Sequence, residues 1–414
     1  MDNEIFELGE RPQYDDSILE IKTIDYHPII GTNLNSDNSE INIIIENQDV
    51  FALPSKSCLY VEGTLKDNTG AVYTNADNIS LIKNGIMYLF KNIRYELSGR
   101  SIENVNNPGI SSVIKGLLTY DRTFGDKNGL QMCWNLSHSR LQEYIIQKSN
   151  PKGSFSFVIP LKHIFGFCED YTKVIYGIKH QLTMLRNQDN DALYKTPATV
   201  TDGKINLTKL IWMMPQIMPN DFAKLKLYKQ IENRIELPIA FRQRQMDKIS
   251  LPKDCTTFSW RLLTTSIRPR FIIVAFQTDR DNNQQKDPSK FDHCNLFNIK
   301  AVLNSESYPG GTDLNLNFTT NQFAKAYQLM ENFKQEFYNE SNVCMDPKEF
   351  KSIYPLFVID CSRQSERLKQ GIIDIKLEMQ FSSAVADKTV CHALVISDRE
   401  VSLKSDGNKM ELVI

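Results

Sequence analysis

The chain has 414 residues, of which 41% are hydrophobic and 24% charged, with a formal net charge of −2. That length exceeds one ordinary hydrophobic core and sets two domains of about 200 residues each as the expectation. The composition excludes a disordered chain, and the near-neutral charge excludes a general electrostatic pull toward nucleic acid or an anionic membrane. Residues 1–20 are acidic: Asp2, Glu4, Glu7, Glu10, Asp15, Asp16 and Glu20 stand against Arg11 alone. This is an acidic arm, not a basic genome-binding one, and it lacks the zones of a secretory signal. The expectation is a protein made in the cytosol and not secreted, with the N-x-S/T sequons at Asn78, Asn135, Asn206, Asn317 and Asn339 occurring by chance.

Further along, strict alternation dominates. "INIII" (41–45), "KINLTKLIWM" (204–213), "IDIKLEMQF" (373–381), "TVCHALVI" (389–396) and "EVSLK" (400–404) read as half-buried antiparallel strands. In "IDIKLEMQF", Ile373, Ile375, Leu377, Met379 and Phe381 share one face. "FIIVAF" (271–276) is among the most apolar runs and is far too short to span a membrane, which needs about 18 such residues. Turn signals fall at "DNTG" (67–70), "NNPG" (106–109), "YPGG" (308–311) and "SDGN" (405–408). Two helices are predicted. "SRLQEYIIQKS" (139–149) is short; "TTNQFAKAYQLMENFKQEFYN" (319–339) carries a Thr319/Gln322 capping box and a stripe of Phe323, Tyr327, Met330, Phe333 and Phe337. Many short strands with regular turns argue for sandwiches or barrels.

An internal repeat divides the chain. "NIRYELSG" from Asn92 matches "NIKAVLNS" from Asn298, an offset of 206. "FSFVIPL" from Phe155 echoes "FKSIYPL" from Phe350, and "VIYGIKHQL" from Val174 echoes "GIIDIKLEM" from Gly371, at offsets of 195 and 197. Three matches in one order imply a single β-rich unit used twice, joined in the polar stretch 187–204.

Candidate chemistry is sparse. Asp292, His293 and Cys294 are adjacent, but the alternation of "FNIKAVL" extended backward puts His293 and Cys294 on opposite faces, where they cannot share an ion. Cys391 and His392 meet the same objection, and His163 and Cys168 have no second pair at metal-ligand spacing. Cys361 in "DCSRQSER" reads as a strand end, with only Arg363 as a basic neighbour that could activate its thiol. The eight cysteines form no C-x-x-C pair and read as reduced, mostly buried thiols. No G-x-S-x-G, H-E-x-x-H, P-loop or G-x-G-x-x-G is present. "FRQRQ" (241–245) and "RPR" (268–270) read as solvated strand edges, too weakly charged for a nucleic-acid stripe. The expectation is no catalytic, cofactor or metal site.

Four stretches, in order, resemble a known family: "LFKNIRYELSGRSIE" (89–103), "FSFVIPLKHIFGFCEDYTKVIYGIKHQLTM" (155–184), "INLTKLIWMMPQIMPND" (205–221, with Trp212) and "RPRFIIVAFQTDRDNNQQKDPSKFDHCNLFNIKAVLN" (268–304). They are similar to the double jelly-roll major capsid proteins of the adenovirus-hexon lineage, found in large eukaryotic DNA viruses, virophages and Polinton/Maverick-type elements. The chain departs from many relatives in its "SGR" turn, where two glycines are usual, and in its shortness, which implies modest surface loops. The resemblance implies an all-β fold of two tandem eight-stranded jelly rolls with a few short helices in connecting loops. It would divide the chain into an arm (1–20), a first barrel (21–203) and a second barrel (204–414). It further implies a non-enzymatic capsid building block: a homotrimer forming a pseudo-hexagonal capsomer in an icosahedral virion, beside neighbouring capsomers and a penton or minor capsid protein, without sequence-specific nucleic-acid contact. Two other classes compete: a cellular jelly-roll module binding a carbohydrate or receptor, and a hydrolase with paired acids that spacing in sequence does not reveal.

Overall fold

The computed structural model describes residues 17–46, 49–73, 77–134, 153–199, 201–262, 268–311, 313–341, 345–364, 373–405 and 410–413. Sixteen principal strands fall into two sets of eight. The first set is β1 (Ile18–Tyr26), β2 (Glu40–Ile45), β3 (Cys58–Asp67), β4 (Phe90–Leu97), β5 (Arg100–Asn106), β6 (Ser154–Pro160), β7 (His180–Arg186) and β8 (Gly203–Pro219). They pair antiparallel as β1-β8-β3-β6 in one sheet and β2-β7-β4-β5 in the other. The second set is β9 (Leu237–Ser250), β10 (Thr257–Leu262), β11 (Pro269–Thr278), β12 (Leu296–Leu303), β13 (Glu306–Tyr308), β14 (Phe357–Asp360), β15 (Ile375–Phe381) and β16 (Thr389–Ser405). Its sheets run β9-β16-β11-β14 and β10-β15-β12-β13. Each strand of the second set thus holds the place of the strand eight before it, and each set winds as a jelly roll.

Alternation makes these sheets. Along β15, Ile375, Leu377, Met379 and Phe381 are buried while Glu378 and Gln380 face water. In the first core, Trp212 of β8 meets Tyr95 of β4 edge-on, with ring centroids 5.5 Å apart. The predicted alternation fails at β16, and β11 is the continuous apolar run of the sequence. Ile272, Ile273, Val274, Ala275 and Phe276 are all buried, as are Cys391 through Ile396. One face of this sheet lines the second core, and the other is covered by a helix and by the first barrel.

Five helices matter for the arrangement: α1 (Pro108–Leu117), α2 (Gly166–Asp170), α3 (Asp221–Glu232), α4 (Ala324–Tyr338) and α5 (Pro347–Ser352). The helix expected from Thr319 begins instead at Ala324. Phe323 precedes it without a side-chain cap, and Asn317 and Gln322 close a tight loop through two backbone bonds. The capping box occurs on α5, between Asp346 and Glu349. The aromatic stripe is real: Phe333 and Phe337 lie on Phe271 of β11, at 4.9 and 6.0 Å. Burying Met330, Phe333 and Phe337 contributes about 1.5–3 kcal/mol each. "NNPG", read as a turn, is the N-terminal end of α1, whose ten residues are all buried. The predicted helix 139–149, the "DGN" of the last turn and residues 1–16 of the acidic arm lie outside the described residues.

The joint between the halves is not at 203/204. Gly203–Pro219 pairs with β3 and β1, so it is the last strand of the first barrel. The polar stretch before it holds a short strand of its own, Leu193–Lys195, paired with Ile79–Leu81. The chain crosses between barrels through α3, which Asn220 caps by accepting from the Ala223 N–H at 2.8 Å. Likewise β1 begins at Ile18, so the 20/21 boundary cuts a strand.

Candidate functional site

The most densely organised polar cluster of the described residues lies between the barrels. It starts from β5, which carries Glu103 at 0% exposure. One carboxylate oxygen accepts from the Phe167 N–H at the start of α2, and the other from the Arg244 N–H on β9, both at 2.8 Å. A first-barrel carboxylate therefore closes a backbone gap shared by both halves. The Arg244 guanidinium, equally buried, donates to the carbonyls of His163, Ile164 and Lys162 and to Glu169 at 2.5 Å. Beside it, Arg242 makes a two-pronged pair with Asp170 at 2.6 and 2.9 Å and stacks its guanidinium 3.6 Å over the Phe337 ring. Lys115 of α1 and Tyr338 of α4 complete the cluster around Glu169. Gly166 is obligatory here, because a Cβ would stand 1.8 Å from the Arg242 carbonyl oxygen.

Electrostatics follow from burial and pairing. Burial alone would raise Glu169, yet Lys115 and then Arg244 hold it down at about 2. Burial lowers Lys115 to about 7 against the pull of Glu169. Glu103 goes the other way: burial raises it to about 7, and Arg244 with three backbone donors only moderates the rise. Elsewhere between the barrels, the Gln284 side-chain amide exchanges two bonds with the Gly203 backbone, and the Tyr88 hydroxyl donates to the Pro288 carbonyl. The charged cluster and these hydrogen bonds together join the barrels.

The polar residues singled out in the sequence go elsewhere. Asp292–Asn295 is a turn ahead of β12; Cys294 and Asn295 have φ of +46° and +50°. The parity argument for His293 and Cys294 therefore rests on a strand that begins only at Leu296. Asp292 accepts from the Thr278 N–H and pairs with Arg280 at 2.6 Å. His293 stacks on Phe318 at 4.4 Å, and its Nδ1 accepts from the Asn295 N–H. Burial, reinforced by Asp292, pushes the Cys294 thiol up to about 12. The three line a surface groove of about 650 Å³ with Phe323, Lys348 and Lys351. His392 points outward from β16 to Gln277, while Cys391 points inward to Met379. His163 bridges Tyr120 and Asn84, and Cys168 is buried nearby on α2. Burial and then Asp360 raise the Cys361 thiol, opposite to what a nucleophile needs. Among the described residues, no three His, Cys, Asp or Glu side chains converge as metal ligands. "FRQRQ" is where the reading of a solvated edge fails, since Arg242 and Arg244 are the seam itself. Arg270 of "RPR" is half exposed and pairs with Asp398 at 2.6 Å.

The buried histidines set a pH dependence. Burial holds His163, His180 and His392 at about 3, against an ordinary 6.5. Between those values the unfolded chain takes up protons that the folded chain does not, so this stability is full above pH 6.5 and lost as pH falls toward 3. Glu103 opposes it: the folded chain keeps a proton from 4.5 to about 7, so its contribution is present at low pH and lost as pH rises through 7. Asp191 and Asp247, also raised by burial, oppose it in the same sense. Three histidines with large shifts outweigh them. The urea midpoint, followed by tryptophan fluorescence, is expected to be lower at about pH 5 than at about pH 7; an equal or higher midpoint at pH 5 would contradict this balance.

A family model described as the double jelly roll-like domain matches residues 79–401. The chain belongs to this family. A search of the curated proteins returns no match. Among solved structures, this double jelly roll-like chain is similar to a chain of the PBCV-1 virus capsid, with a TM-score of 0.59 at 10% identity over 98% of this chain and 99% of that one. The mavirus major capsid protein gives 0.55 at 10% identity over 100% and 93%. A chain from the Sputnik virophage gives 0.55 at 13% identity over 100% and 92%. At such identities what is shared is the fold, the double jelly roll.

Proposed function

We propose that this chain is a major capsid protein: three copies form a pseudo-hexagonal capsomer of six barrels, and such capsomers tile an icosahedral shell. The observation that carries the reading is the pairing of two complete eight-stranded rolls, similar from end to end to chains from a virus capsid and a virophage. A barrel pair supplies two of the six positions of a hexagon, and threefold symmetry closes the ring. The role needs a block whose halves do not flex, and the Glu103–Arg244–Glu169 seam supplies one. It also needs lateral contacts of well over ~1,000 Å² per pair. Exposed apolar side chains such as Ile29 and Ile30, at 51% and 101% exposure, give such contacts a surface. On this reading the work is structural and not catalytic. The protein is made in the host cytosol and ends in the virion, where its partners are its own copies, neighbouring capsomers and a penton or minor capsid protein.

Light scattering on the purified chain at micromolar concentration tests this. A mass three times the 47.7 kDa of one chain is expected. A monomer that also binds one glycan of an array saturably would overturn the reading in favour of a ligand-binding jelly roll.

A further inference from the structure

β1 and β9 hold the same place in their two rolls but have opposite surroundings. β9 is covered by the first barrel. Phe241 packs edge-on against Phe167 of α2 at 5.6 Å, Arg242 pairs with Asp170, and the Arg244 N–H donates to Glu103 of β5. β1 is bare: every residue from Ile18 to Asp25 is exposed. Among the described residues it pairs with β8 alone, so its outer edge is open, and it is bulged only at its start, between Ile18 and Glu20. Its one lysine, Lys22, is neutralised by Glu20 at 3.0 Å. Ile18, Leu19, Ile21 and Ile24 are 37–65% exposed, and the exposed Ile29 and Ile30 follow. A long, apolar open edge is a template for another chain, and an apolar patch of this kind marks a surface that something covers.

We propose that β1 docks on the second barrel of a neighbouring copy, against β13, as β9 docks on the first barrel within the chain. The chain itself shows what covers such a strand: a roll of the same kind, meeting it through β5. The counterpart of β5 is β13. Tyr308 lies opposite Ala301 as Glu103 lies opposite Tyr95, and the repeat offset of 206 carries Tyr95 onto Ala301. β13 is open in its turn, pairing with β12 alone among the described residues, with Glu306 and Ser307 exposed. Each copy therefore carries one bare β1 on its first barrel and one bare β13 on its second. Two different surfaces that meet head to tail close into a ring, whereas β1 against β1 across a twofold would leave β13 uncovered. Closure at three copies rests on the shell-forming reading above. The two joints differ in chemistry. Inside the chain the seam is ionic, through Arg242, Arg244, Glu103 and Glu169. Between copies β1 brings isoleucines and a leucine, and Tyr308 stands where Glu103 stands, so this joint is apolar and depends little on salt.

Hydrogen exchange paired with light scattering tests it, on wild type and Leu19→Asp/Ile21→Asp. The variant is expected to fall to the mass of one chain. Its β1 and β13 amides are both expected to exchange at least about tenfold faster, while β5 and β9 keep wild-type rates and report an intact fold. Tyr308→Asp, placed on the other side of the joint, is expected to give the same monomer with β1 deprotected. The wild-type mass is expected to stay threefold between about 0.1 and about 1 M sodium chloride. A Leu19/Ile21 variant that stays trimeric, or one whose β13 exchanges at the wild-type rate, overturns the docking and leaves the shell-forming reading standing. A monomeric wild type overturns both. Dissociation of the wild type at the higher salt overturns the apolar joint.

Discussion

Replacing Arg244 with Met is expected to destabilise the protein by roughly 3–5 kcal/mol, the usual cost of breaking a buried ion pair from one side. Methionine keeps most of the side chain's apolar volume, so the loss is chemical, not a cavity. Glu169 keeps Lys115 but loses its 2.5 Å partner, and the carbonyls of Lys162, His163 and Ile164 lose their guanidinium donor. His163 and Ile164 are buried, so their carbonyls gain little water in exchange, while the Glu169 side chain is 18% exposed and is only partly resolvated. The Glu103 contact survives, because it uses the Arg244 backbone N–H. Urea titration should also change character. The wild-type barrels, sharing one seam, are expected to unfold together; in the variant two transitions should separate. Adding Glu169→Gln to Arg244→Met should cost less than the sum of the two single changes, because the second removes the charge that the first strands. Full additivity would show that the two residues do not act on each other.

Gly166→Ala is the second large effect, expected at roughly 3 kcal/mol or more. Overpacking in a tight core commonly costs 1–3 kcal/mol, about the lower bound here. The reason for expecting more is that the added Cβ meets backbone, not a side chain that can turn away: the Arg242 carbonyl oxygen at 1.8 Å and its carbon at 2.8 Å. Relief requires α2 and β9 to separate, which lengthens the Glu103 bonds to both Phe167 and Arg244. Gly99→Ala is the control. Its φ of +76° strains an alanine by about 1–2 kcal/mol, but nothing lies within 4 Å of the new Cβ. A thermal-melting comparison in which Gly166→Ala costs no more than Gly99→Ala would refute the close approach of the barrels at this point.

The barrels were legible because each strand carries its own evidence. Alternation at β2, β8 and β15 is local, and the repeat between Asn92 and Asn298 joins β4 to β12, the same strand of each roll. The other two matches show how far pattern alone reaches. Val174 with Gly371 does join β7 to β15, but two residues out of step. Leu182 pairs with Tyr95 and Leu377 with Ala301, which sets the offset at 195 when the strands are placed by their partners. The match of Phe155 with Phe350 sets a strand against helix α5, misled by a shared Pro-Leu. The joint is not legible because a polar stretch reads as a linker, while Gly203 onward is a strand whose partner lies far back in the chain at Asp67. The seam was illegible for a deeper reason. Arg244 looks like any charged strand residue until Glu103 and Glu169, 141 and 75 positions away, are seen beside it. Long-range pairing of single charges leaves no periodic trace in a sequence.

Single-particle cryo-electron microscopy of the purified protein tests the account most directly, because it views barrels, seam and assembly at once. The expected particle has threefold symmetry and six barrels, with the two barrels of each chain held in one fixed orientation across Arg244 and Glu169. Particles containing one chain, with its barrels at variable angles to each other, would contradict it.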